Sequence, residues 1–228
     1  MQTEILRLNL DPYENGKKSG VFFKKHIQEN IDKYEEAIKD PIIWSQCEYQ
    51  LRKLEESFPN YVEEIKGKAD GAEVDFKAYF AMMCPEIMED VTYCTTIMCQ
   101  DKHGNFLLSH NEDTEFEEGN FCLAKIITEE GWLVTSDTYN MPFGNSFSWN
   151  SYGIIKTINY CHEPDIHKQN ISRLFAQRHI SDATSIEDLI KRCTEIRPAS
   201  GFHVNAIDKN SNMAVSIEVY PDDIDVTY

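Results

Sequence analysis

The chain has 228 residues, 41% of them hydrophobic, which is enough to bury the core of one or two domains. Its 39 acidic residues against 22 lysines and arginines give a formal charge of −17, which disfavours binding to nucleic acids or anionic membranes. No apolar run is long enough to span a bilayer, and residues 1–25 lack the apolar core of a secretory signal. The seven cysteines are odd in number and form no C-x-x-C pair, so we predict a reducing, cytoplasmic location.

The first part of the chain, residues 18–80, is predicted to be mostly helical. Apolar residues recur there at helical spacing between acids and lysines: Phe22, Phe23, Ile27, Ile31 and Tyr34. Further helices are predicted over residues 43–58, from residue 61 to the glycines at 67–71, and over residues 76–83.

From residue 94 onward the pattern changes to short β-prone runs. Three predicted hairpins pair residues 121–128 with 132–137, 146–150 with 154–159, and 202–208 with 213–220. Two helices are predicted over residues 170–180 and 186–196, the second with a capping box at 185–188. This order favours an α+β domain over residues 94–228, preceded by a helical N-terminal segment over residues 1–93.

The candidate site lies in the run from Cys94 to Asp113. Two β-prone stretches flank a polar turn containing His103-Gly104, which is typical of a hairpin. A turn centred there pairs residues whose numbers sum to 207, so Cys94 lies opposite Asp113 and Thr96 opposite Asn111. One face of the hairpin is then predicted to carry a thiol, an amide and a carboxylate.

This run, Cys-Thr-Thr followed by a turn and His-Asn-Glu-Asp, resembles the nucleophile region of penicillin acyltransferase-like N-terminal-nucleophile hydrolases, distant relatives of the bile-salt hydrolases. Segments 10–20, 64–71, 141–159 and 198–218 resemble further family segments in the family's order. The resemblance implies a four-layer αββα sandwich. Relatives continue into a His-Thr-Asn-His segment, so we expect the fold to be incomplete beyond Tyr228.

The resemblance also implies a reaction and its residues. In such enzymes the chain is cut before the nucleophile, here between Tyr93 and Cys94, and the freed α-amino group serves as base for the thiol. The segment 1–93 is then a propeptide or a small subunit. The implied site residues are Asp113, which orients the α-ammonium, and the oxyanion or substrate-binding residues Asn111, Asn150 and His110.

The residues alone leave simpler interpretations open. A cysteine such as Cys94, taken alone, is more often buried and inert, and His110 is more typical of a structural hydrogen bond than of a base. Asn111 and Asp113 are nearly as typical of turn caps, and Asn150 is also typical of a hairpin residue. The spacing of Cys161, His162 and His167 matches no standard metal site, and the chain has no phosphate-binding glycine loop, so no metal or cofactor is predicted.

Three functions follow. The leading one is hydrolysis or acyl transfer on a small, non-peptide amide by Cys94. Tyr93, where many relatives carry glycine, and the missing C-terminal segment favour instead an inactive or precursor-state binding or scaffold protein. Such a chain would be completed as a homo-oligomer or by a partner chain. The third function is that of an acyl-CoA-dependent acyltransferase. It ranks below hydrolysis because no basic phosphate-binding patch stands out in the sequence.

Overall fold

The computed structural model describes residues 5–9, 11–89, 93–113, 119–161 and 166–228. The helices are α1 (Pro12–Asn30), α2 (Asp32–Ala37), α3 (Pro41–Ser57), α4 (Pro59–Ala72), α5 (Phe76–Met82), α6 (Pro85–Met88), α7 (Arg173–Ile180) and α8 (Ile186–Glu195). The strands are β1 (Ile5–Leu8), β2 (Tyr93–Gln100), β3 (Phe106–Asp113), β4 (Phe121–Ile127), β5 (Trp132–Thr138), β6 (Phe147–Asn150), β7 (Ile154–Tyr160), β8 (Phe202–Asp208), β9 (Met213–Val219) and β10 (Ile224–Thr227).

Two sheets are present in the described chain. Eight strands form one sheet in the order β1-β4-β5-β6-β7-β8-β9-β10, in which β1 runs parallel to β4 and the other neighbours are antiparallel. The hairpin of β2 and β3 forms a separate two-stranded sheet. The three predicted hairpins of the large sheet are therefore confirmed.

Helices pack against one face of the large sheet, and the small sheet packs against the other face. Ile154 and Ile158 of β7 join a core with residues of α7 and α8. The alternate residues Thr157 and Asn159 point the other way and hydrogen bond with Thr96 of β2. The mixed α+β class is confirmed, and the four-layer sandwich stays a prediction.

Helices α1 and α4 cross with their backbones in contact. A Cβ placed on any of four glycines would lie 1.9–2.2 Å from a backbone oxygen of the opposite helix: Gly16, Gly20, Gly67 and Gly71. Only glycine permits such an approach. The prediction that this helix ends at residues 67–71 is wrong, because α4 continues to Ala72 and the glycines there serve the crossing.

The N-terminal helices are joined to the large sheet by a buried polar contact. The carboxylate of Asp137 on β5 accepts hydrogen bonds from Ser19 of α1 and from Lys68 of α4, both at 2.8 Å. Because all three residues are buried, loss of either donor would leave a costly unpaired group. The N-terminal segment also supplies β1 to the sheet, and the domain boundary at residue 93 stays a prediction.

Two short strands at the sheet edges, β1 and β10, are absent from the sequence prediction. Each has only four residues, too few for a clear alternation of polar and apolar positions. None of the helices in the described ranges is long and apolar enough to cross a membrane.

Candidate active site

The hairpin that carries Cys94 has a register one residue away from the predicted one. Cys94 pairs with Glu112, and Asp113 pairs with Tyr93, so the predicted pairing of Cys94 with Asp113 is wrong. The cause is the turn. The side chain of Asp101 accepts hydrogen bonds from the backbone amides of His103 and Asn105 and closes a five-residue loop.

The shift changes which side chains share a face with Cys94. The inner face, toward the large sheet, carries half-buried residues of both strands: Cys94, Thr96, Met98, Leu108, His110 and Glu112. The outer face carries Asn111 and Asp113, which are exposed and hydrogen bonded to each other at 2.7 Å. The prediction that Asn111 and Asp113 face the same way as Cys94 is therefore wrong, whereas His110 does lie beside it.

A continuous chain of hydrogen bonds runs along the inner face. The Cys94 thiol donates to Oε2 of Glu112 at 3.1 Å, and the other carboxylate oxygen lies 2.9 Å from Nε2 of His110. Nδ1 of His110 lies 2.8 Å from the hydroxyl of Thr96, which donates to Oδ1 of Asn159 at 2.6 Å.

These contacts fix the direction of the protons. Because the single hydroxyl proton of Thr96 goes to Asn159, the oxygen accepts from Nδ1–H of His110. The contact between Nε2 and Oε1 of Glu112 holds one further proton. Glu112 is thereby held by His110 through one oxygen and accepts the thiol proton with the other.

The local electrostatics keep the thiol protonated. Burial, followed by the negative charge and hydrogen bond of Glu112, raises the pKa of Cys94, and a backbone hydrogen bond with Tyr160 opposes this effect. For Glu112, burial works toward a higher pKa but is outweighed by hydrogen bonds from His110, Ser146 and Cys94, so its pKa is lowered. The site therefore holds a neutral thiol next to a carboxylate that can accept its proton.

A cavity of about 450 Å³ opens beside this cluster, between the hairpin and the large sheet. His110 and Glu112 line it together with small hydroxyl residues, two aromatic rings and one leucine: Ser109, Ser136, Ser146, Thr157, Phe121, Phe147 and Leu108. These lining residues include no lysine or arginine. The cavity has the size of a small-molecule site and places a carboxylate and an imidazole at its wall.

Asn150 lies outside this cavity. Its side-chain amide donates to the backbone oxygens of Ser181 and Ala183, and its oxygen accepts from the amides of Tyr152 and Ile154. It lines a different cavity of about 430 Å³ among α4, α7 and the ends of the strands. With both amide hydrogens used in the fold, Asn150 is not brought together with Cys94.

The other sequence candidates add little to this site. His162 lies outside the described residues, while Cys161 is half-buried and His167 lies 3.9 Å from Asp222. The main residue that sequence reasoning missed is Glu112. The alternation of β3 could have indicated it, because Leu108, His110 and Glu112 share one face of this strand in any register with β2.

Comparison with known proteins supports one family. The profile of the family described as acyl-coenzyme A:6-aminopenicillanic acid acyl-transferase matches residues 99–228. The chain is also 28% identical to the beta-alanyl-dopamine/carcinine hydrolase of Drosophila melanogaster, over 62% of this chain and 42% of that protein. The chain thus spans less than half the length of this relative, and Cys94 lies five residues before the family match. Since that match covers more than half of the sequence, the chain belongs to the acyl-coenzyme A:6-aminopenicillanic acid acyl-transferase family.

Proposed function

We propose that this chain carries the nucleophile of a cysteine N-terminal-nucleophile amidase. The chain cleaves itself between Tyr93 and Cys94, and Cys94 then attacks the substrate. The observation that carries the proposal is the Cys94 thiol at 3.1 Å from the carboxylate of Glu112, a residue that lines the cavity of about 450 Å³. A thiol, a proton acceptor and a histidine that fixes the acceptor are the parts that nucleophilic catalysis requires.

Self-cleavage begins with proton transfer from Sγ of Cys94 to Oε2 of Glu112. The sulfur attacks the carbonyl carbon of Tyr93, the C–N bond to Cys94 breaks, and the nitrogen leaves as a free α-amine after taking up a proton. Water then hydrolyses the thioester and frees the thiol. In the mature form the α-amine lies within the same residue as the thiol and acts as its base.

On a substrate, the thiol attacks the amide carbonyl and the amine product leaves with the proton. The resulting acyl thioester is resolved by water, which gives hydrolysis, or by a second amine, which gives acyl transfer. The backbone amide of Tyr160, which bonds to the sulfur, stabilises the thiolate at the moment it forms.

The substrate class we propose is a small amide that releases a neutral or cationic amine. The cavity wall carries the Glu112 carboxylate and no lysine or arginine, and the chain has a formal charge of −17, so a cationic ligand is favoured over an anionic one. The relative's name, beta-alanyl-dopamine/carcinine hydrolase, makes those two amides the first compounds to assay. The same electrostatics rank an acyl-CoA donor below simple hydrolysis.

A second candidate function is supported by the state of the thiol. Burial and Glu112 raise the pKa of Cys94, as expected for a thiol that stays unreactive, and Tyr93 precedes it where a glycine would ease cleavage. An uncut chain with an inert Cys94 would be a binding or scaffold protein of the same fold.

Intact-protein mass spectrometry separates the two functions. Wild type is compared with Cys94→Ala and with Cys99→Ala, a matched control because Cys99 is an exposed cysteine on the outer face of the same strand. The amidase proposal expects two fragments meeting between Tyr93 and Cys94 in wild type and Cys99→Ala, and one chain in Cys94→Ala.

Release of dopamine from beta-alanyl-dopamine by the same three proteins gives the second measurement. Activity that disappears only in Cys94→Ala supports the proposal. An uncut wild-type chain without activity would refute the amidase proposal and favour the binding or scaffold function. Activity that persists in Cys94→Ala would show a different nucleophile.

A further inference from the structure

We propose that Cys94, His110 and Glu112 together bind one divalent cation of the zinc type, and that the bound cation keeps the thiol from reacting. One ligand atom from each side chain lies within 4.8 Å of the other two. The binding itself is independent of the proposed function, whereas its inhibitory effect rests on that function. The sequence spacing gives no sign of this site, because strand pairing brings residue 94 to residue 112.

The distances already approach those of a tetrahedral site. Sγ of Cys94 lies 3.1 Å from Oε2 of Glu112, and Nε2 of His110 lies 2.9 Å from Oε1. Around Zn²⁺ bound at about 2.3 Å to sulfur and about 2.0–2.1 Å to nitrogen and oxygen, ligand atoms stand about 3.3–3.6 Å apart. The two short contacts go to different oxygens of Glu112, and the three ligand atoms lie within 4.8 Å of one another. Side-chain rotations that part the hydrogen-bonded atoms and bring the more distant ones together therefore make room for the ion.

The histidine is already oriented as a metal ligand. Its Nδ1 is bonded to the hydroxyl of Thr96 at 2.8 Å, and Thr96 is itself held by Asn159 and Thr157. Metal-bound histidines commonly use their second nitrogen in this way, which fixes the ring with the other nitrogen toward the ion. Here that other nitrogen, Nε2, faces Glu112 and the cluster.

The donor set selects the kind of cation. A thiolate, an imidazole and a carboxylate suit Zn²⁺ and its neighbours, whereas Mg²⁺ and Ca²⁺ require oxygen ligands. A thiolate and a carboxylate together balance the two positive charges of the ion. Binding releases the thiol proton to solvent, and the Nε2 proton of a charged imidazole as well, with no change in oxidation state.

The cavity supplies the fourth position. His110 and Glu112 both line the 450 Å³ space, so an ion held between them can take a water molecule from that side. The occupied site would hold the sulfur as a metal thiolate and would withdraw Glu112 as proton acceptor. Self-cleavage needs both groups and amide attack needs the free thiol, so the cation acts as a reversible inhibitor.

The test adds Co²⁺ to the purified full chain after bound metal has been removed with a chelator. Cobalt is the probe because a cobalt–thiolate bond gives a charge-transfer absorption band. We expect one equivalent of Co²⁺ to produce this band in wild type and in Cys99→Ser, and Zn²⁺ to displace it. Cys94→Ser should lose the band. His110→Gln and Glu112→Gln should weaken binding at least about tenfold, the smallest loss seen when even outer hydrogen-bonding partners of metal ligands are mutated.

A second readout needs no variant. One equivalent of Zn²⁺ should protect Cys94 from iodoacetamide in wild type while Cys99 continues to react, as mapped on peptides by mass spectrometry. A missing cobalt–sulfur band, a band retained in Cys94→Ser, or equal protection of both cysteines would overturn the inference. Failure to cleave amides would refute the proposed function alone, since neither metal readout depends on activity.

Discussion

Replacing Glu112 by glutamine should make Cys94 more reactive, and replacing Asp113 by asparagine should have a smaller effect. In the observed register the Glu112 carboxylate lies 3.1 Å from the sulfur, whereas Asp113 points to the outer face. Coulomb's law gives about 1.3 kcal/mol for two unit charges at that distance in water and about 5 kcal/mol at an effective dielectric of about 20. Removing the charge therefore lowers the thiol pKa by at least about one unit.

The kinetic consequence is smaller than the pKa change. One unit raises the thiolate fraction tenfold, but nucleophilicity falls with basicity, so we expect at least about a three- to fourfold faster alkylation at pH 8 per unit. The assay is the rate of iodoacetamide labelling of Cys94, measured on peptides with the exposed Cys99 as internal reference. Equal rates in wild type and Glu112→Gln, or a larger increase in Asp113→Asn, would refute the register and the proton path built on it.

Three further substitutions test other parts of the structure. Asn150→Ala should lower the unfolding free energy by about 2–4 kcal/mol, because the backbone groups of two turns lose their hydrogen-bond partner. Cleavage before Cys94 should stay intact in the folded variant. Loss of cleavage in a stable protein would instead indicate that Asn150 binds the oxyanion. Gly67→Ala should cost about 2 kcal/mol in urea unfolding, since its Cβ would lie 1.9 Å from the backbone oxygen of Tyr13; unchanged stability would contradict the close crossing. Burial raises the pKa of Glu64 from its ordinary value of 4.5 to about 7. Between these two pH values the carboxyl is protonated in the folded protein and ionised in the unfolded chain. Stability should fall by up to about 3 kcal/mol as pH rises from about 4.5 to 7, and Glu64→Gln should remove that slope in urea midpoints taken across this range.

The sequence was sufficient to predict the class of the fold and most of its elements. Turn residues mark the ends of the β-prone runs, so three hairpins of the large sheet could be paired correctly, including the one that contains the four-residue strand β6. The edge strands could not be predicted, because β1 finds its partner β4 far along the chain and has only four residues.

The candidate site was predictable in place but not in register. Alternation located the hairpin and its thiol, whereas the pairing depended on how Asp101 closes the turn through two backbone amides. A one-residue difference in loop length exchanges Asp113 for Glu112 opposite Cys94. The glycines of α4 show a related difficulty: they were interpreted as a helix end, although a spacing of four in both α1 and α4 also indicates a close crossing.

The strand β1 has a consequence for how a cleaved chain would behave in the laboratory. It belongs to the segment before Cys94, yet it is hydrogen bonded along β4, and Ser19 and Lys68 hold the same segment to buried Asp137. A break behind Tyr93 would sever one covalent bond and none of these contacts. We therefore expect the two fragments to co-elute as one particle in gel filtration and to separate only in denaturant. Expression of residues 94–228 alone should give an insoluble product with an exposed edge on β4, rescued when residues 1–93 are supplied on a second plasmid.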